Sequence, residues 1–431
     1  MKKRLSIILS ILIIVCCITS FVAPKHISFK LSEKPTICDP DWKYCDNNGS
    51  MCHDANGNLS LHFDNPSQVW ETEGLPIGNG QLGAMLLGNP GMARIQFNEE
   101  SLWLGDEDET GKYQNFGDLI FRFGESKETP RESGYRRSLD IANAICRASW
   151  TRDGASITQE AFASFPAKVI VVRWRADKPG ALSGVLQLVD AHGAKTEISG
   201  DIMTIAGDFP GYTYDGGKQW LPLHREAQVR VLHSGGSVIA RDSSFIVEKA
   251  DEVTLFLTAG TDFKQDRSAN WRGEMPHETI AARLKAATKK SYDELRSEHL
   301  RDYHRLFDRV TLSLGGVASP DISTDVRLKQ YRTDQPDLGL EELLFQYGRY
   351  LLISSSREGG LPANLQGKWN DKNDPPWRCD YHTDVNVEMN YWMADVANLG
   401  ECFQPYAAWI QSIRAVRIEA TKKAFDGARG W

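Results

Sequence analysis

The stretch AQVRVLHSGGSVIA, residues 227–240, indicates a fold built from β-strands. Val, Leu and Ile lie on both sides of the Gly235–Gly236 pair, and paired glycines between such runs are typical of a tight hairpin turn. We therefore predict a hairpin here. Two similar runs are KVIVVRWRAD at residues 168–177 and DEVTLFLTAG at 251–260. Because no helical pattern interrupts these runs, the sequence predicts a large antiparallel β-sandwich.

The pattern changes to helices after Trp271. Residues 278–310 consist mainly of helix formers, with apolar residues three and four apart. A second helix is expected after Pro336 and Asp337, and a third and a fourth follow it. The predicted apolar faces of these three helices are Leu340, Leu343, Leu344, Tyr347 and Leu351; then Met389, Trp392, Met393 and Val396; then Tyr406, Ile410 and Ile413.

Length and composition limit the possible classes of protein. A chain of 431 residues is too long for one compact core and indicates at least two domains. Its 50 basic and 57 acidic side chains give a formal charge of −7, which argues against a nucleic-acid partner. The 12 tryptophans suit binding to the CH-rich faces of sugars, although most tryptophans in such a protein are expected in the core.

The N-terminus, MKKRLSIILSILIIVCCITSFVA, residues 1–23, predicts export. Its apolar run is long enough to serve either as a cleaved signal peptide or as a membrane anchor, so we expect a secreted, periplasmic or cell-surface protein. Cys38, Cys45 and Cys52 lie in a polar segment and suggest a local disulfide in an exported chain. The sequence has no CxxC pair and no close histidine pair, so no metal or other cofactor is expected.

A long loop at residues 354–392 contains the densest group of polar and aromatic residues. Within it, DYHTDVNVEMNYW, residues 380–392, places His382, Asp384 and Asn386 at alternate positions. In an extended chain these three side chains share one face and would form one wall of a pocket. The alternative is that Asp384 or Asn386 caps the helix expected near Val387. Three nearby aromatic residues favour a site: Trp369, Trp377 and Trp392.

A second dense stretch covers residues 69–105 and predicts a strand pair with glycine-rich turns. Its GNGQLG segment is superficially like a dinucleotide-binding loop, but no βαβ pattern follows, which argues against that role. Glu99 and Glu100 are adjacent and would face opposite ways in a strand, so they cannot form a catalytic pair. We expect solvated or hydrogen-bonded turn acids.

Five motifs, in this order, closely resemble family 95 glycoside hydrolases, the inverting α-L-fucosidases and α-L-galactosidases. They are WETEGLPIGNGQLGAMLLGNPGMARIQFNEESLWLG, YRRSLDIANAICRASWTRDGASITQEAFASFPAKVIVVR, LPANLQGKWND, PPW and EMNYWMADVANLGEC. The resemblance covers about residues 60–431 and implies an N-terminal β-supersandwich, a helical linker and an (α/α)6 barrel that holds the active site. The implied substrate is an oligosaccharide or glycan.

The resemblance also implies roles for individual residues. In that family the loop before EMNYW supplies a histidine to the sugar and two asparagines that position the attacking water. An acidic residue from much later in the chain assists the two asparagines. The three corresponding positions in this sequence are His382, Asp384 and Asn386. The sequence therefore differs from the family at position 384, where an aspartate replaces the first of the two asparagines. A carboxylate there could take the proton from water directly, or it could repel a remote acid and raise one of the two pKa values. Asp384 is thus the expected base, Asn386 its helper and His382 a ligand of a sugar hydroxyl, with Trp369, Trp377 and Trp392 as wall or support.

Inversion also requires a general acid, with the two carboxyl groups about 6.5–9.5 Å apart. The family supplies this glutamate from a later part of the barrel, so we expect an incomplete N-terminal portion with little activity alone. Asp384 also leaves open a non-catalytic carbohydrate-binding surface protein. The local carboxylates are Glu358, Asp371, Asp374 and Glu388, of which Glu388 is typical of a first-turn helix acid. The expected segments are a signal peptide or anchor at 1–23, a linker at 24–58, the sandwich at 59–270, a helical linker at 271–330 and a truncated barrel at 331–431.

Overall fold

The computed structural model describes residues 28–31, 59–105, 111–124, 132–209, 222–316 and 321–430. The predicted signal or anchor at 1–23 and the predicted disulfide among Cys38, Cys45 and Cys52 lie outside these residues. Within the described ranges, no helix is both long enough and apolar enough to cross a bilayer.

The first part of the chain forms antiparallel sheets, as predicted. The strands are β1 (Ser28–Leu31), β2 (Ser60–Phe63), β3 (Leu75–Gly78), β4 (Leu82–Asn89), β5 (Met92–Glu99), β6 (Trp103–Leu104), β7 (Lys112–Tyr113), β8 (Gly117–Phe123), β9 (Glu132–Asp140), β10 (Ile145–Arg152), β11 (Ala155–Ser164), β12 (Val169–Ala176), β13 (Leu182–Asp190), β14 (Glu197–Ser199), β15 (Ile202–Phe209), β16 (Leu223–Ser234), β17 (Ser237–Arg241), β18 (Ser244–Ala250), β19 (Glu252–Thr261) and β20 (Val310–Ser313).

Two large sheets contain most of these strands. One has nine strands in the order β14-β15-β16-β19-β12-β11-β10-β9-β2, and the other has seven in the order β17-β18-β13-β8-β5-β4-β3. Two small pairs, β1 with β20 and β6 with β7, complete the described strands. The β1 strand lies inside residues 24–58, and the linker predicted for that segment stays a prediction.

The core of the sandwich lies between the two large sheets. Along β13 buried and less buried residues alternate, as a strand with one face on a core requires. Aromatic rings fill the gap: Phe121 of β8 lies 5.1 Å from Trp174 of β12, and Phe123 lies 5.2 Å from Trp150 of β10, measured between ring centroids. Contacts between large rings contribute strongly to core packing because each ring buries a large apolar area.

The predicted hairpin at Gly235–Gly236 was wrong. Strand β16 pairs with β15 and β19 in the nine-stranded sheet, whereas β17 pairs with β18 in the seven-stranded sheet. The two glycines have φ values of 64° and 55°, and the chain passes through them from one sheet to the other. Both edges of β16 are already occupied by longer-range partners, so β17 has no free edge of β16 to pair with.

The second part of the chain is mainly helical, and one short helix, α1 (Trp70–Glu73), lies earlier, among the strands. The other α-helices are α2 (His277–Ala287), α3 (Tyr292–Phe307), α4 (Thr324–Gln330), α5 (Leu338–Ser355), α6 (Asn386–Tyr391), α7 (Met393–Val396) and α8 (Gln404–Ala424). The predicted segment at 278–310 is divided into α2 and α3, because Ser291 and Glu294 form a capping box that starts a new helix. Leu284 and Leu295 of these helices pack with Phe162 of the sandwich.

The glycine-rich turn before β4 is where the sandwich meets α5. The Gly80 N–H donates to Ser354 O at 2.8 Å, and a Cβ on Gly78 would lie only 2.5 Å from the same oxygen. The Tyr350 hydroxyl donates to Pro76 O at 2.6 Å. Glycines are therefore required here, because the backbone of this turn approaches the backbone of α5 closely. This packing accounts for the glycines of GNGQLG, and no nucleotide-binding role is needed.

The predicted helix faces were only partly correct. Asp337 caps α5 as expected, because its carboxylate accepts from the Leu340 N–H. Leu340 and Leu343 are buried as predicted, but Leu344 is 69% exposed, and the buried side of α5 continues through Tyr350 and Ile353. The third helix is divided at Trp392, which is 65% exposed. The fourth, α8, buries only Pro405 within the described residues. The limits 59–270, 271–330 and 331–431 stay predictions.

Candidate active site

The backbone at residues 382–386 is a turn, so the expected extended conformation was wrong. The Val387 N–H donates to His382 O at 3.0 Å, and α6 begins at Asn386. Val385 has φ −162° and ψ −32°, outside the strand region. His382, Asp384 and Asn386 are therefore placed on one turn that leads into a helix, and strand alternation does not orient them.

The expected helix cap by Asp384 or Asn386 was also wrong. The N-cap residue of α6 is Val385, and no side chain caps this helix. Asp384 Oδ1 accepts a hydrogen bond from the Val385 N–H at 2.9 Å, and Asn386 is already in the first turn. The side chains of both residues are exposed. Neither side chain is used to satisfy the helix N-terminus, so both are accessible to a ligand.

His382 has a carboxylate neighbour that the sequence analysis did not single out. Its Nε2 lies 3.8 Å from Asp380 Oδ2, an ion-pair distance that is too long for a hydrogen bond. Burial raises the pKa of Asp380, and its Oδ2 is a buried atom with no hydrogen-bond partner. A small movement of the imidazole towards Asp380 would therefore satisfy a buried acceptor and fix the ring.

The helix that follows the turn is attached to the loop LPANLQGKWND. The Asn390 side-chain amide donates to Ala363 O and Asn364 O at 3.3 and 3.0 Å. The Tyr391 hydroxyl accepts from the Ala363 N–H at 2.8 Å, and the Tyr381 hydroxyl donates to Pro362 O at 3.0 Å. These bonds hold the backbone on both sides of the 382–386 turn.

An aromatic stack joins this region to the sandwich. The Tyr381 ring lies 5.1 Å from Trp103 of β6 and 4.9 Å from Trp409 of α8, measured between centroids. The Trp103 indole N–H donates to Glu100 O at 2.8 Å. The sequence analysis missed this stack, because residues 103, 381 and 409 are distant in the sequence.

Glu99 and Glu100 are buried, which corrects the expectation of solvated acids but confirms hydrogen bonding. Lys368 Nζ lies 2.9 Å from Glu100 Oε2 and also donates to Leu361 O at 2.8 Å. Glu99 Oε2 accepts from the Ser101 N–H and hydroxyl at 2.9 and 2.6 Å. Burial, together with the charge of Glu100, raises the pKa of Glu99 to about 7.

The three tryptophans of the predicted site have different surroundings. Trp369 is buried, and its indole N–H donates to Ile77 O of β3 at 2.8 Å. Trp377 and Trp392 are 79% and 65% exposed. Trp377 lies in a left-handed turn with φ 53°. Trp369 is thus positioned as a support between domains, whereas the exposed rings are accessible to a ligand.

The four local carboxylates do not include an evident general acid. Glu388 lies in the first turn of α6 as predicted, and its Oε1 accepts from the Tyr406 hydroxyl at 3.0 Å. Asp374 is paired with Lys112 at 2.8 Å, burial raises the pKa of Asp371, and Glu358 is exposed. Across the described residues, no group of three or more His, Cys, Asp or Glu side chains could hold a metal ion.

Comparison with known proteins identifies the domains that this chain resembles. Residues 61–112 and 106–266 match the glycosyl hydrolase family 65 N-terminal domain, and residues 291–431 match the glycosyl hydrolase family 95 catalytic domain. The chain is thus of the glycoside hydrolase class, with a sandwich in front of helices. The helical part of the chain thus matches glycosyl hydrolase family 95, the family that its motifs predicted.

Two relatives show how much of the family this chain covers. It is 32% identical to "Alpha-L-fucosidase 2" of Arabidopsis thaliana, over 86% of this chain and 51% of that protein. It is 29% identical to "Probable alpha-fucosidase A" of Aspergillus niger, over 86% of this chain and 52% of that protein. The chain therefore spans about half the length of these relatives. A solved bacterial glucoamylase complexed with acarbose aligns with a TM-score of 0.37 at 10% identity, over 83% of this chain and 54% of that one.

Proposed function

We propose that this chain is part of an exported glycoside hydrolase that cleaves terminal α-L-fucosyl or related α-L-sugar linkages with inversion. Asp384 takes the proton from the attacking water or holds that water, Asn386 assists it, and His382 binds a sugar hydroxyl. Trp377 and Trp392 pack against the sugar, and Trp369 supports the loop. The observation that carries this proposal is the exposed 382–386 turn, whose flanks are fixed by Tyr381, Asn390 and Tyr391.

The names of the relatives support the substrate class, because both contain "fucosidase". A base alone does not complete an inverting mechanism, since a second carboxyl group must protonate the leaving oxygen. Among the described residues no carboxyl group is assigned to that step. We therefore propose that the 431-residue chain tested alone has little or no hydrolase activity.

Hydrolysis of 4-nitrophenyl α-L-fucoside and α-L-galactoside tests this function. The assay uses the chain itself and, where the reading frame continues past codon 431, the extended product. Proton NMR of the first product formed reports the anomer, and the expected result is β-L-fucose from the extended product and little turnover by the chain. Fast turnover by the chain alone, or an α-anomer as first product, would overturn the proposal.

A non-catalytic carbohydrate-binding surface protein is the second candidate. The observation that favours it is Asp384, which departs from the asparagine of the resembling family and carries a carboxylate that accepts from its own neighbour's N–H. Glycan-array binding by the extended product, without hydrolysis of any bound glycan, would select this candidate instead.

A further inference from the structure

A polar cavity lies beside the Glu99–Ser101 turn, between the sandwich, α2 and the loop after α5. Its volume is about 240 Å³. It is lined by the turn, by Thr261 at the end of β19, by Thr279 and Arg283 of α2, and by Gly360. None of the residues 382–386 lines it. We call it the Glu99 cavity, and it is distinct from the turn assigned to hydrolysis.

The lining of the Glu99 cavity is rich in hydrogen-bonding groups that are already ordered. The Ser101 hydroxyl lies 2.6 Å from Glu99 Oε2 and 2.6 Å from Thr261 Oγ1. Gln81 Oε1 is a buried oxygen with no hydrogen-bond partner. A buried acceptor without a donor is costly, and Gln81 lines the cavity, so a shift of its side-chain amide towards a ligand hydroxyl would relieve the cost.

The chemistry of the lining selects the class of ligand. An anion is disfavoured because the lining has three acidic side chains, Glu99, Glu100 and Glu274, and one basic side chain, Arg283, and an apolar ligand is disfavoured by the polar lining. A metal ion is disfavoured because the described residues contain no suitable ligand cluster. A neutral ligand with several hydroxyls fits best, since hydroxyls both donate to carboxylates and accept from Arg283 or Gln265.

The size of the cavity suits a single ring. Pockets for drug-sized ligands usually measure about 300–1,000 Å³, and this one is slightly smaller at about 240 Å³. Phe263 adds an apolar surface to the lining, on which the CH face of a sugar could pack. We propose that the Glu99 cavity is a second carbohydrate site, which binds one neutral pyranose unit.

Binding of free L-fucose and of methyl α-D-galactoside to the 431-residue chain tests this site. Thr279→Trp places an indole in the cavity mouth, and Glu278→Trp is the control, because it adds the same ring at an exposed neighbouring position of α2 that does not line the cavity. Titration calorimetry is expected to show binding to the wild type and to Glu278→Trp. Thr279→Trp should bind at least about tenfold more weakly, with an unchanged midpoint of thermal unfolding.

Two further measurements separate this site from the 382–386 turn. His382→Ala is expected to remove only the binding at the 382–386 turn, so the binding that Thr279→Trp weakens should remain, and a crystal soaked with L-fucose should show a ring beside Gln81 and Ser101. Binding that is lost in His382→Ala but kept in Thr279→Trp would overturn the proposal, as would a cavity that holds only water at saturating sugar. Neither result depends on hydrolysis, so these measurements test the second site independently of the proposed enzymatic function.

Discussion

Lys368 and Glu100, 268 residues apart in the sequence, form a buried ion pair with 2.9 Å between Nζ and Oε2. The same carboxylate oxygen accepts from the Leu361 N–H at 2.7 Å. The Lys368 ammonium also donates to Pro362 O at 3.1 Å, and the Tyr381 hydroxyl donates to that carbonyl too. A sandwich residue is thereby connected to the residue next to His382.

Lys368→Met should strongly destabilise the chain. It leaves the Glu100 charge buried without its partner, which typically costs about 3–5 kcal/mol. The measurement is the free energy of unfolding from urea titration. Lys372→Met is the matched control, because Lys372 pairs with Glu71 in an exposed bridge, and such bridges contribute about 0–1 kcal/mol. The double variant Glu100→Gln/Lys368→Met should recover part of the loss. Equal effects of the two lysine changes would contradict this account.

Glu99 should make stability depend on pH. Burial raises its pKa from 4.5 to about 7, so between these values the folded state binds a proton that the unfolded state has released. Stability therefore falls as pH rises through this window, by about 3 kcal/mol relative to Glu99→Gln. Urea titrations of wild type and Glu99→Gln from pH 4 to pH 8 measure the difference. A difference that stays constant with pH would show that Glu99 titrates normally.

Trp369 and Trp377 should respond differently to the same substitution. Trp369→Ala removes a buried ring and the hydrogen bond to Ile77 O, so we expect a loss of about 3–5 kcal/mol. Trp377→Ala removes an exposed ring, and the expected change is within about 0.5 kcal/mol. Thermal and urea unfolding of both variants provide the comparison. A large loss for Trp377→Ala would mean that its ring supports the fold rather than the sugar.

Asp384→Asn, made in the extended product, tests the assignment of the base. If Asp384 takes the proton from water, kcat should fall by about 10²–10⁴-fold, with KM little changed. Thr383→Ala is the control, since that side chain is exposed on the same turn. The free energy of unfolding of both variants should equal that of the wild type. An Asp384→Asn enzyme as active as the wild type would show that an asparagine in this position is sufficient.

The sequence alone determined which segments form strands and which form helices, and it determined several of the residues at which they begin or end. Runs of β-branched residues specified strands, because their period of two matches the two faces of a sheet. Asp337 specified the start of α5, because a side-chain cap needs only neighbouring residues. The ordered motifs predicted the match of the helical part to glycosyl hydrolase family 95. These signals are local, or they repeat a known pattern, and neither requires knowledge of distant contacts.

Only the tertiary structure decided which strands pair and which polar groups are buried. Gly235–Gly236 has the composition of a hairpin turn, yet β16 and β17 lie in different sheets because β15 and β19 occupy both edges of β16. Glu99 and Glu100 are residues of a type usually found at the surface, yet both are buried. Lys368 donates a hydrogen bond to Glu100, and the Ser101 hydroxyl donates one to Glu99. At 382–386, hydrogen bonds within the turn replace the alternation expected of a strand. Pairing and burial depend on residues far away in the chain, and a local pattern does not contain that information.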